Sequence, residues 1–273
     1  MLQSLSQKNM YKLFNNILVP LSVDRPCEMA IEKALELSVQ FKCDVHLLYL
    51  LNKPFWKSWS ASKDAESKAK MSMLRDRYAA QLPKGCMLHV SVREGNAAGV
   101  LAQYITVNHI DLILAHKQLR GLDVDIDRLA ANTGCPVLSL QINPRLRGIK
   151  NIVLPVSDQL PLRKIMLAIY MAKDSNAAIH LISLSLNNTT EQRRYVYLEK
   201  AYQLLRENTT LPIRCRMMIG ENIADTTLEY ARNVAADLIL VKAGDESLLS
   251  GPMARLFPRW LSNRSDIPVI TVA

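Results

Sequence analysis

Several groups of residues have types and spacings that could do chemistry. Lys242, Gly244, Ser250, Gly251 and Arg255 stand close together in the second half of the chain. Two cations and a hydroxyl suit an anion, and glycines let backbone N–H groups approach one. A surface loop with a helix cap is the plainer reading, and it is preferred because no phosphate-cradling geometry is encoded. Asp123, Asp125 and Asp127 alternate along the chain. That run lacks the glycine and glutamate of a calcium loop, so solvated acids at a helix start are preferred to a metal site. His46 and His180 fall in matching apolar runs, and a hydrogen-bonded structural role is preferred for both. Phe55, Trp56 and Trp59 crowd one segment, where they either line a partner or ligand site or staple a helix onto its sheet.

These residues sit on a repeated frame. Asn16-Ile17-Leu18-Val19-Pro20-Leu21-Ser22 returns as Asn151-Ile152-Val153-Leu154-Pro155-Val156-Ser157. Val45-His46-Leu47-Leu48 returns as Ile179-His180-Leu181-Ile182, and Asp111-Leu112-Ile113-Leu114 as Asp237-Leu238-Ile239-Leu240. Each half closes on a Pro-Val strand, at Pro136-Val137 and Pro268-Val269. Repeats in the same order signal a duplication. The boundary falls near Asn143-Pro144-Arg145-Leu146-Arg147-Gly148, giving units 13–143 and 148–273.

Within the first unit, strands are expected near 16–21, 44–50, 87–92, 111–115 and 136–141. Helices are expected near 27–41, 61–81, 97–109 and 124–133. The second unit repeats the alternation, with strands near 150–156, 178–185, 213–219, 237–242 and 268–272. Its helices fall near 161–173, 190–208, 222–235 and 253–264. Strands apolar on both faces mark a parallel sheet covered by helices. The fold class is therefore α/β, with right-handed crossovers and a doubly wound, Rossmann-like sheet in each unit.

Composition narrows the function. Hydrophobic residues make up 49% and charged residues 22%, which excludes a disordered chain. The net charge of +9 comes from lysines and arginines spread along both halves. With no clustered basic stripe or module motif, nucleic acid is not the expected partner. The five cysteines are Cys27, Cys43, Cys86, Cys135 and Cys215. They form no CxxC pair, and small buried thiols in a reducing compartment explain them best. No apolar run approaches a membrane span, and Met1–Lys12 holds no signal core, so a cytoplasmic protein is expected. No nucleophile elbow, P-loop, dinucleotide fingerprint or zinc-protease motif occurs, so an enzyme is not expected.

Each half resembles a universal stress protein (UspA-like) domain. The resemblance rests on Ile17-Leu18-Val19-Pro20 and Ile152-Val153-Leu154-Pro155, the Asp-Leu-Ile-Leu fourth strands, and the Pro-Val closing strands. It implies two tandem five-stranded domains of the adenine nucleotide alpha hydrolase-like class, related by a pseudo-twofold axis. It implies that Val137–Leu140 pairs antiparallel with Val269–Val272, and that the molecule could pair again as a homodimer. Family members that bind ATP carry an aspartate after the first-strand proline and a spaced glycine motif after the fourth strand. Here Ser22 and Ser157 hold the aspartate positions, with Asp24 and Asp158 shifted beside them. The glycine motif is broken in both halves. The resemblance therefore implies a non-enzymatic stress-response protein acting through protein interaction, with degenerate nucleotide sites and no cofactor. The alternative is a small-molecule or nucleotide binder, for ATP or AMP, using an altered pocket in the second domain. Its ligand would meet Leu21, Ser22, Asp24, Ala115 and His116 in the first half. In the second it would meet Val156, Ser157, Asp158, Val241, Lys242, Gly244, Ser250, Gly251 and Arg255. His116 ends a fourth strand, where ligands approach in such sheets.

Overall fold

A computed structural model describes residues 12–22, 27–51, 69, 72–116, 124–140, 146, 148–157, 159–185, 191–219, 223–243 and 265–273. In the first half the strands are β1 (Asn16–Ser22), β2 (Asp44–Leu51), β3 (Leu88–Glu94), β4 (Leu112–His116) and β5 (Val137–Leu140). The helices are α1 (Glu28–Phe41), α2 (72–79), α3 (Ala97–Val107) and α4 (Ile126–Thr133). The second half holds β6 (Asn151–Pro155), β7 (Ala178–Ser185), β8 (Ile213–Ile219), β9 (Leu238–Lys242) and β10 (Val269–Val272). Its helices are α5 (Leu162–Ala172), α6 (Glu191–Asn208) and α7 (Ile223–Asn233). The expected helix 253–264, residues 61–68, 70 and 71 of the expected helix 61–81, and Phe55, Trp56 and Trp59 lie outside the described residues.

The strands form one ten-stranded sheet in the order β3-β2-β1-β4-β5-β10-β9-β6-β7-β8. Pairing is parallel inside each half. At the centre β10 runs antiparallel to β5, with Ile270 opposite Leu138. The order on one side of that seam mirrors the order on the other. Two five-stranded parallel sheets thus share one hydrogen-bonded edge, which leaves neither closing strand open.

Side chains alternate across the sheet, as a strand's period of two requires. Ile17, Val19 and Leu21 face one side, and Leu18 faces the other. On the first side the core is continuous across both halves and takes in Ala34, Leu37, Ile165 and Met171. There Phe14 and Phe41 of the first half meet Tyr170 of α5, with ring centroids 5.0–5.3 Å apart. On the opposite side there are two buried clusters: α3 and α4 cover the first, against which Ala243 of the second half also packs, and α7 covers the second. α1 shows the cause in sequence, burying Ala30, Ile31, Ala34, Leu35, Leu37, Ser38 and Phe41 along one stripe.

The outer strands differ from the inner ones. β8 is largely exposed, with Arg214 and Arg216 among its open residues. Charged residues on an edge strand discourage pairing with other chains. This placement also leaves Cys215 exposed, against the expectation of buried thiols. Cys43 and Cys135 are buried, while Cys27 and Cys86 are half-buried.

Candidate ligand site at the carboxyl ends of the strands

The sheet presents two mouths, one per half, where β1 and β4, and β6 and β9, end. Neighbouring crossovers leave these strand ends in opposite directions, which opens a crevice. In the first mouth Ser22 and His116 are half-buried, whereas Leu21 and Ala115 are each 1% exposed and belong to the core. In the second mouth Val156 and Val241 are likewise core residues. Any ligand would meet the backbone of these four residues and not their side chains. Ser157 is buried and Lys242 half-buried. Asp24, Asp158, Gly244, Ser250, Gly251 and Arg255 lie outside the described residues.

The second mouth contains a cavity of about 180 Å³ lined by Ser157, Gln159, Arg163, Lys164 and Lys242. Three cations thus surround one small space. Lys242 Nζ donates to Gln159 Oε1 at 2.9 Å, which holds the ammonium at the rim. Lys164 is buried and its Nζ donates to the Pro155 carbonyl at 2.6 Å. Arg163 is exposed in the first turn of α5, where the helix dipole adds positive potential. Sequence reasoning found Ser157 and Lys242 but missed Gln159, Arg163 and Lys164. Their signal was the first turn of the helix after β6. There the repeat sets Lys164 where the first half has Ala30, at the 134-residue offset that also relates His180 to His46.

The cavity size tests what fits. Sites for whole small molecules usually occupy about 300–1,000 Å³. The space bounded by the described residues is smaller, so it suits a phosphate group or another small oxyanion and not a whole nucleotide.

The two repeated histidines sit at the other end of the sheet. His46 Nε2 lies 3.3 Å from Asn16 Oδ1, and its Nδ1 lies 3.1 Å from the Tyr104 hydroxyl. His180 repeats this with Asn151 Oδ1 at 3.1 Å and the Tyr230 hydroxyl at 3.0 Å. The amide oxygens accept from Nε2–H, so each Nδ1 accepts from its tyrosine. Burial, helped by the neighbouring His89, pushes the His46 pKa down to about 4. Burial and then Arg214 lower that of His180. Both rings are neutral links between strand and helix, far along the strands from the mouths. Asp125 caps α4 by accepting the N–H of Arg128 at 3.1 Å, so this member of the acidic run is a helix-start acid.

Comparisons with known proteins agree with this architecture. Residues 13–139 match the model of the universal stress protein family. A universal stress protein from Archaeoglobus fulgidus DSM 4304 superposes with a TM-score of 0.71 at 14% identity, covering 95% of this chain and 97% of its own. A Pseudomonas aeruginosa UCBPP-PA14 protein carrying the universal stress protein name gives 0.59 at 17% identity, covering 95% and 93%. A Pseudomonas aeruginosa PAO1 protein of unknown function gives 0.58 at 17% identity, covering 95% and 92%. A search of curated proteins finds no significant match. At these identities the structural matches speak for the fold. Among the described residues, no helix is long and apolar enough to cross a membrane. The family match over the first half, joined to the mirrored strand order of the second, identifies the chain as a universal stress protein domain at residues 13–139 followed by a second domain of the same fold.

Proposed function

We infer that the protein works by binding and not by catalysis, and that the mouth of its second half is the ligand site. The observation that carries this reading is the cluster of Arg163, Lys164 and Lys242 around one cavity. Charge-assisted bonds from such groups favour phosphate-type oxyanions. Among the described residues the wall sets these cations beside the Ser157 hydroxyl, with no carboxylate side chain or imidazole in it, so the site is suited to holding its ligand unchanged. The ligand class is a small phosphorylated anion, of which this cavity takes one phosphate group, so the nucleoside part of AMP or ATP would lie outside it.

A thermal-shift titration with inorganic phosphate, AMP and magnesium-ATP tests this. A ligand present at a hundred times its Kd stabilises the fold by about 2.7 kcal/mol. That raises Tm by roughly 5–10 °C for a chain of this size. Lys242→Met should remove most of the rise. If no anion shifts Tm at millimolar concentration, the reading fails, and a role through protein contacts alone takes its place. The exposure of Leu162 and Met166 on α5 favours that second reading, because large apolar side chains in water mark contact surfaces.

A further inference from the structure

A separate cavity of about 280 Å³ lies at the seam between the halves. It follows from the antiparallel pairing of β5 and β10. That pairing sets the amino ends of the first half's strands beside the carboxyl end of β10. The first half contributes Leu13, Asp111, Gly134 and Cys135 to the wall, and α5 contributes Arg163 and Met166. Neither half alone could form it.

The polar groups of the first-half wall already have partners. Asp111 Oδ2 accepts the N–H groups of Asn15 and Asn16 at 2.7 and 3.1 Å. Cys135 Sγ donates to the Ile110 carbonyl at 3.3 Å. Thr133 Oγ1 donates to the Leu129 carbonyl at 2.7 Å. Arg163 differs. Among the described residues its guanidinium makes no hydrogen bond or ion pair. Its Nη1 stands 3.8 Å from where a Cβ on Gly134 would project, so the head group lies against the cavity wall. Beside it Met166 is 58% exposed. The wall therefore offers apolar surface and one guanidinium with open donors.

We propose that this seam cavity binds a small monocarboxylate with an apolar body. Its two oxygens take the paired donors of Arg163, the geometry a guanidinium presents to a carboxylate. Its body lies against Leu13 and Met166. The Asp111 carboxylate in the same wall repels a second negative charge, which disfavours di- and triphosphates here. The site is distinct from the second-half mouth, although Arg163 borders both.

Isothermal titration of the full chain with 4-methylpentanoate and with 3-phenylpropanoate tests the proposal, using the matching primary amides as controls. Both carboxylates should bind at millimolar concentration or tighter, and the amides at least about tenfold more weakly. Arg163→Gln should weaken the carboxylates by a similar factor. Met166→Trp should fill the cavity and abolish their binding, while the phosphate response of the mouth stays as in the parent. Because Met166 is exposed, this change leaves the core intact, and circular dichroism checks that. Met166→Glu adds a like charge and should weaken the carboxylates without changing any packed residue. Absence of binding by both carboxylates overturns the proposal. So does equal binding of the amides, or undiminished binding in Arg163→Gln or in both folded Met166 variants. A chain that binds carboxylate but not phosphate keeps this inference and loses the mouth reading, and the reverse outcome does the opposite.

Discussion

The repeated histidines illustrate how a residue's chemistry depends on its neighbours. His46 stacks on His89 with ring centroids 4.3 Å apart, and Asn16 and Tyr104 hold its two nitrogens. Charging the buried ring would place a cation beside a second imidazole. A histidine whose folded pKa lies at about 4, below its free value of 6.5, binds fewer protons when folded than when unfolded. Stability then rises with pH between those values and is lost as pH falls through them. The full loss has an upper bound of about 3–4 kcal/mol. Urea midpoints should therefore drop between pH 7 and pH 4.5, and His46→Gln should flatten that slope even though it lowers stability at pH 7. An unchanged slope would show that other groups carry the acid sensitivity. The aspartates of the Asp-Leu-Ile-Leu repeats act similarly, as staples. Asp237 Oδ2 accepts the N–H groups of Lys150 and Asn151 at 2.7 and 3.1 Å, matching Asp111 in the first half. The sequence showed that these residues recur. Only their partners show that they join one strand's start to the next.

Among the elements, the helix ends carry most of the local strain. After α3 and α7 the chain turns through His109 and Ala235, both at φ 49°. The following N–H groups close the turns, Ile110 onto the Ile105 carbonyl and Ala236 onto that of Ala231, each a helix cap of the left-handed kind. For a residue with a Cβ this conformation costs about 1–2 kcal/mol. Glycine avoids that cost but loses about 0.5–1 kcal/mol through its freer unfolded chain. Ala235→Gly should thus stabilise the protein by about 0.5–1 kcal/mol, read as a higher urea midpoint with an unchanged slope. A lower midpoint would mean that the alanine methyl contributes packing that outweighs the strain. Gly134, which closes α4 at φ 68°, already has the residue that this turn favours. Sequence patterning placed these helices within a few residues, because apolar spacing and terminal residues act over short distances. Lys42, His109 and Ala235 gave no warning of a left-handed turn, since none is the glycine or asparagine such positions usually carry.

The whole molecule is held by a core that ignores the duplication boundary. Phe14, Phe41 and Tyr170 lie in the part of the core shared by both halves. Tyr170 is 4% exposed, and truncating a buried aromatic costs about 3–5 kcal/mol. Tyr170→Ala should weaken hydrogen-exchange protection in β2 and in β7 by the same factor, because the shared core couples the halves. Loss confined to β7 would show that the halves unfold independently. The edges of the sheet follow the opposite logic, with Arg214 and Arg216 facing water on β8.

The sequence by itself determined the duplication, the α/β class, the strand positions and the universal stress protein likeness of residues 13–139. All of these depend on local periodicity and on motifs that a reader can line up along the chain. It also showed Ser22 and Ser157 at equivalent places after the first strand of each half. Tertiary structure alone decided which residues gather at the second mouth. Arg163 and Lys164 belong to a helix pattern in sequence, and only the crossover from β6 brings them to Lys242. It alone decided the seam cavity as well, because antiparallel pairing of β5 with β10 places Asp111 and Met166 in one wall although they lie far apart in the chain. Contacts of that kind are set by how packed layers meet, and no spacing along one strand or helix records them.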